Sequence, residues 1–166
     1  MFYTFVGKVS NIVFQFLSLM RLPVQVQGIL FRKINRGIEY LLLKTTPERE
    51  DFWQPVTGGL EEGETKVEAL KREVWEETGI KNVIRIIEKV DYFEYSDAHF
   101  INIRGFDFIK EYVFGVEVDP DERVALNGKE HSQFRWCSFQ EALELLKWDE
   151  NKKALSRLNK ILSSQT

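Results

Sequence analysis

With 166 residues, the chain suits one domain and can bury a proper core. Its formal net charge of −3, with both signs mixed, gives no electrostatic basis for binding duplex nucleic acid. A single cysteine, Cys137, rules out an internal disulfide and fits a reducing cytoplasm; in the run QFRWCSF it reads as a small core hydrophobe.

Residues 1–21 read as an N-terminal amphipathic arm or helix ahead of a domain over 22–166. Phe5, Val6, Val9, Ile12, Val13, Phe16 and Leu17 recur at helical spacing, with Lys8, Asn11, Gln15 and Ser18 elsewhere on the wheel. The pattern is too polar to span a bilayer and lacks the basic start and cleavage site of a signal peptide. Its polar face lacks a Lys/Arg cluster, so a helix docked on the domain or on a second subunit is favoured over membrane contact through residues 1–20. Met20-Arg21-Leu22-Pro23-Val24 looks like an ordinary N-terminus, which makes Met20 an alternative start. A monomer or a homodimer is compatible with this reading.

Val24 to Arg32 and Ile38 to Lys44 are apolar, β-rich runs around Asn35-Arg36-Gly37, a hairpin signal. A polar loop from Thr45 to Asp51 leads to a short strand, Phe52 to Val56. Val83 to Tyr95, Glu111 to Val118 and Gln133 to Cys137 read as further strands, and Phe139 to Lys147 and Asn151 to Leu162 as helices with apolar stripes. Strands on both sides of a central helix, with a helical C-terminus, predict an α/β/α sandwich around a mixed sheet.

That central stretch is GGLEEGETKVEALKREVWEETGI, from Gly58 to Ile80. Thr65 with Glu68 forms a capping-box pair, which opens the helix at Thr65, and Gly79 closes it in the left-handed conformation. Val67, Leu70 and Val74 form one apolar stripe, while Glu73, Glu76 and Glu77 converge on an adjacent face. Three neighbouring anions repel one another, and a hard divalent cation relieves them; oxygen ligands suit Mg²⁺, with Mn²⁺ as the alternative. Arg72 can partly neutralise the cluster. A solvated acidic face is the plain alternative.

The spacing decides against that alternative. Gly58, Glu64, Arg72-Glu73-Val74, Glu76-Glu77 and Gly79-Ile80 fill every fixed position of the Nudix box, so the chain resembles the Nudix hydrolase superfamily. The resemblance implies a Nudix-type α/β/α sandwich and metal-dependent hydrolysis of a nucleoside diphosphate linked to another moiety. It also implies Glu73 and Glu77 as principal metal ligands, Glu76 as a third, the Gly58 carbonyl as a backbone ligand, and a brace between Glu64 and Arg72.

Beyond the box, Phe52-Trp53-Gln54-Pro55-Val56-Thr57-Gly58, Glu130-His131, and Trp148, Asn151 and Ala154 are similar to the dihydroneopterin triphosphate (dATP) pyrophosphohydrolase branch. That similarity puts Glu130 beside the metal, as a ligand or as general base to the attacking water. It implies a small-molecule partner, a nucleoside or pterin triphosphate, cleaved to monophosphate and pyrophosphate. Dinucleoside polyphosphates, ADP-ribose or capped RNA are the alternative substrates, and a non-catalytic nucleotide sensor is the alternative class.

Thr45-Thr46 stands where members of the branch carry an arginine pair, so Lys44 and Arg49 become the candidate phosphate contacts. Phe52 and Trp53 are the candidate stacking residues, although strand alternation lets only one of them face a ligand. His99 and His131 are not needed as metal ligands beside so many carboxylates, and His131 is expected to pack or hydrogen-bond near Glu130.

Overall fold

The computed structural model describes residues 22–96 and 107–165. The arm expected over 1–21 and His99 lie outside the described residues. Chain order within them is β1 (Val24–Ile34), β2 (Gly37–Thr45), β3 (Trp53–Gln54), β4 (Val56–Gly59), α1 (Lys66–Thr78), β5 (Val83–Tyr95), β6 (Ile109–Val118), β7 (His131–Cys137), α2 (Phe139–Leu145) and α3 (Asp149–Ser163). A 3₁₀ turn, Pro47–Arg49, sits in the loop after β2.

All seven strands join one mixed sheet. β1 runs parallel to β6, from Val24 opposite Lys110 to Phe31 opposite Glu117, and the remaining pairings are antiparallel. The two strands of the first hairpin separate beyond Phe31 and Tyr40. Into that gap runs the segment 53–59: β3 pairs with Leu43 and Lys44 of β2, and β4 pairs with Gln25 to Gly28 of β1. Pro55, which has no N–H to donate, stands at the switch. This split brings Gly58 into the middle of the sheet.

The apolar runs of β1 and β2 are continuous because both their faces are covered. Val26, Leu30, Leu41 and Leu43 face α1, where they meet Leu70 and Val74. Ile29, Phe31, Tyr40 and Leu42 face α2 and α3, where they meet Leu155 and Leu158. Each such fully buried side chain contributes about 1.5–3 kcal/mol relative to exposure. Tyr40 Oη donates to Asn159 Oδ1 at 2.7 Å and pins α3 to the sheet. Cys137 is buried in this second core, and burial pushes its thiol up to about 11, consistent with a packing role.

Helix α1 has the predicted limits. The Thr65 hydroxyl accepts from Glu68 N–H at 3.2 Å, and the Glu68 carboxylate accepts from Thr65 N–H at 2.8 Å. Gly79, at φ 71°, donates to Trp75 O at 2.8 Å. The C-terminal helices differ slightly from expectation: α2 ends at Leu145, and α3 starts earlier, at Asp149. Among the described residues no helix is long and apolar enough to cross a membrane.

Candidate active site

The site grows from the junction of β4 with α1. A Cβ on Gly58 would lie 1.9 Å from Glu73 Cδ, so only glycine lets the carboxylate rest against the strand. Glu73 and Glu77, four residues apart on α1, are both turned inward and buried, while Glu76 reaches solvent. Arg72 closes the glycine loop onto the helix. Its Nε and Nη2 donate to the two oxygens of Glu64 at 2.7 and 2.9 Å, Nη2 also donates to Gly59 O at 2.9 Å, and Nη1 donates to Glu73 Oε1 at 2.6 Å. The guanidinium hydrogen bonds hold Glu64 below the usual carboxylate range.

Glu73 behaves oppositely although it touches the same arginine. Burial pushes it up to about 7, outweighing Arg72, with Glu77 and Glu76 adding repulsion. Burial also raises Glu77, against the pull of His131. Glu77 Oε2 is buried and, among the described residues, lacks a well-directed hydrogen bond. A set of inward, mutually repelling, incompletely satisfied hard oxygens fits a divalent cation such as Mg²⁺.

The loop between β6 and β7 is folded onto the end of α1 by backbone bonds. Ala125 N–H donates to Thr78 O at 2.8 Å, and Asn127 N–H to Glu77 O at 3.3 Å, so the loop takes up carbonyls that the helix end leaves free. Glu130 and His131 N–H groups return to Asn127 O, both at 3.1 Å. The result is that one ligand atom from each of Glu77, Glu130 and His131 falls within 4.8 Å of the others.

His131 packs near Glu130, as expected, and its nearest acid is Glu77. Its Nε2 lies 3.1 Å from Glu77 Oε2, off the direction of a good hydrogen bond. Nothing in the sequence pairs these two residues; only the docking of the β6–β7 loop does.

Glu130 itself is half-exposed and receives Arg49 Nη1 at 3.0 Å. Arg49 is thus engaged with an acid, and Lys44 Nζ lies 3.0 Å from Asp51, so neither candidate phosphate contact is a free cation.

Beside Thr57, on the α3 side of the sheet, lies a cavity of about 640 Å³. Its walls include Phe52 and Trp148, which meet edge to face at 6.0 Å, together with Phe93 and Tyr95. Its polar lining includes Gln25, Gln54, Thr57, Glu111 and Asn151. Lys147 Nζ stands over the Phe52 and Trp148 rings at 4.8 and 4.4 Å. Of the two expected stacking residues, only Phe52 lines this cavity. Trp53 is not among the lining residues: it packs against the α3-side core and lies under the Arg135 guanidinium. Gln25 and Glu111 were not singled out by the sequence. A polar residue inside an apolar strand, as in VQVQGILF, is the signal that could have found Gln25.

A NUDIX domain model matches residues 22–158. The chain is 35% identical over 125 residues to an octanoyltransferase of Myxococcus xanthus, covering 74% of this chain but only 33% of that protein. It is 26% identical over 137 residues to the dihydroneopterin triphosphate diphosphatase of Haemophilus influenzae, covering 79% of this chain and 85% of the relative. A Listeria monocytogenes NUDIX protein of known structure superposes with a TM-score of 0.76 at 33% identity, over 87% of this chain and 97% of that one.

Proposed function

Because the chain belongs to the NUDIX domain family, we propose that it is a divalent-metal-dependent pyrophosphohydrolase that cuts a nucleoside or pterin triphosphate, dATP among them, into monophosphate and pyrophosphate. The observation that carries this reading is the pair of inward α1 carboxylates: Glu73 rests against Gly58 too closely for any residue but glycine, and Glu77 has a ligand atom within 4.8 Å of Glu130 and His131. In this proposal Glu73, Glu77 and the Gly58 carbonyl hold the cation, with Glu76 as an outer ligand. When bound, that Mg²⁺ or Mn²⁺ ion would neutralise phosphate oxygens and make a water more acidic.

The chain's own residues supply the rest. Arg72, held by Glu64, fixes the glycine loop against α1 and keeps Glu73 in place. Glu130 accepts the proton of the attacking water; displacement of Arg49 by substrate phosphate frees both the carboxylate and a cation for that purpose. His131 keeps Glu77 turned inward. The cavity beside Thr57 takes the ring of the substrate, with Phe52 and Trp148 available for stacking. A reducing cytoplasm is the setting this proposal takes for the enzyme.

A hydrolysis screen with Mg²⁺ over nucleoside triphosphates, dihydroneopterin triphosphate, dinucleoside polyphosphates, ADP-ribose and capped RNA tests it. Pyrophosphate release from triphosphates with the highest kcat/KM is the expected result. A clear preference for ADP-ribose, a dinucleoside polyphosphate or capped RNA overturns the substrate class.

A further inference from the structure

The cavity beside Thr57 carries polar groups that an apolar strand does not need for folding. Gln25 and Gln27 stand two apart on β1, on the face that continues with Ile29 and Phe31 of the α3-side core. Gln27 is fully buried, and neither atom of its amide has a hydrogen-bond partner. Gln27 does not line the cavity; the β1 residue in its wall is Gln25.

Glu111 of β6 stands opposite Gln25 in the parallel pairing and lines the same cavity. Only 6% of it is exposed. The Tyr95 hydroxyl sits 3.0 Å from Gln25 Oε1 and also within reach of the Glu111 carboxyl, so its one proton goes to either acceptor in turn. Thr57 Oγ1 lies 3.5 Å from the same Gln25 oxygen. With its oxygen facing two hydroxyls, the Gln25 amide presents its NH₂ group elsewhere, as a donor. Beside that donor stands the Glu111 carboxyl, which offers an acceptor oxygen whether ionised or not. Burial pushes this acid up to about 7, and the acceptor is present in both forms.

We infer that Gln25 and Glu111 read the amidine edge of a planar heterocycle, the Gln25 amide donating to a ring nitrogen and Glu111 accepting from the adjacent exocyclic amine. Adenine, cytosine and 2-aminopteridine rings carry that edge. Hypoxanthine and uracil reverse it, setting N–H against the Gln25 donor and a carbonyl oxygen against Glu111. Phe52 and Trp148 provide the stacking surface that holds such a ring in register. The inference rests on the proposed triphosphate hydrolysis in one respect: it takes the cavity as the place of the substrate's ring.

The test measures kcat/KM for the pairs ATP and ITP, and CTP and UTP, which differ at this edge. Wild-type protein should favour the amine-bearing member of each pair by about tenfold or more, because the reversed edge leaves buried polar groups unpaired. Glu111→Leu should bring both ratios within about threefold of unity. Gln25→Met should do the same, and it carries the test should Glu111→Leu fail to fold. Equal treatment of the pairs by the wild type, or a full preference retained in a variant with wild-type Tm, overturns the inference. Calorimetric binding of AMP against IMP separates it from the catalytic reading. A Glu111-dependent preference for AMP in a protein that cleaves no triphosphate sustains the edge reading and removes the hydrolase reading. Triphosphate cleavage without preference does the reverse.

Discussion

Two buried carboxyl groups, Glu73 on α1 and Glu111 on β6, lie on opposite sides of one sheet, and burial pushes both up to about 7. Their surroundings make them different devices. Glu73 touches Arg72, rests on the Gly58 backbone and is repelled by Glu76 and Glu77. Glu111 has a tyrosine hydroxyl and neighbouring amides, with no charge contributing to its shift. The first is a dense anionic cluster that a cation completes. The second is a polar patch without charged neighbours, which on the inference above a hydrogen-bonding ring completes. On the proposed readings, similar burial thus gives a metal site or a recognition site according to whether the neighbours are charged.

The sharpest way to break this comparison is to remove a charge from the first region. Glu77→Gln keeps the side chain's shape and should lower kcat by about 10³-fold, near 4 kcal/mol. It should also abolish any rise in Tm on adding Mg²⁺, whereas Glu111→Gln should leave that rise intact. Wild-type turnover of Glu77→Gln at limiting Mg²⁺ would remove the residue from the metal site.

The second region is broken by pH. The carboxyl of Glu111 ionises near the ordinary value of 4.5 in the unfolded chain but only near about 7 in the fold. A raised acid stabilises the fold below the unfolded value, and that advantage is lost as pH climbs through 4.5 toward 7 and above. By pH 8 the wild type should have given up as much as about 3 kcal/mol through this group. Glu111→Gln, which cannot ionise, should match the wild type near pH 4 and exceed it progressively toward pH 8. Urea titrations at pH 4, 6 and 8 measure this, and parallel curves for the two proteins would show that Glu111 is not held neutral by burial.

Glu130 belongs to the first region by position but to neither by environment, since it is half-exposed and paired with Arg49. If it takes the proton of the attacking water, Glu130→Gln lowers kcat by about 10²-fold, near 2.7 kcal/mol, with little change in Tm. An unchanged kcat at saturating substrate and Mg²⁺ leaves the α1 glutamates to act alone.

The two regions were unequally legible in the sequence. The α1 cluster is local: Thr65, Glu68 and Gly79 mark the helix ends, and the spacing of Glu73, Glu76 and Glu77 places them on one face before any tertiary contact is known. The central strands were legible for the same reason, since period and turn residues are local signals. Gln25 and Glu111 become neighbours only because β1 pairs in parallel with a strand remote in sequence. The contact of His131 with Glu77 likewise depends on a loop docking onto helix-end carbonyls. Alternation says that one of Phe52 and Trp53 faces a ligand without saying which, and only their packing separates them, Phe52 in the cavity wall and Trp53 on the core.

The smallest effect is expected from the segment ahead of both regions. Backbone anchoring of the described chain begins at Pro23, whose carbonyl accepts from Lys110 N–H at 2.9 Å, and continues at Val24, whose carbonyl accepts from Leu60 N–H at 2.9 Å. Every residue assigned to the metal cluster and the ring cavity lies between Gln25 and Asn151. Among the described residues, the members of each core cluster run from Val24 onward. A protein starting at Met20 keeps three residues before the first anchored carbonyl. It should therefore fold with a Tm within about 2 °C of the full chain, a stability change under roughly 0.5 kcal/mol. Its kcat/KM should stay within about twofold, near 0.4 kcal/mol. Size-exclusion chromatography and a thermal melt of the shortened protein decide the matter. Aggregation, loss of a dimer together with activity, or a Tm lowered by about 8 °C or more would show that residues 1–19 cover part of the core or complete the assembly that works.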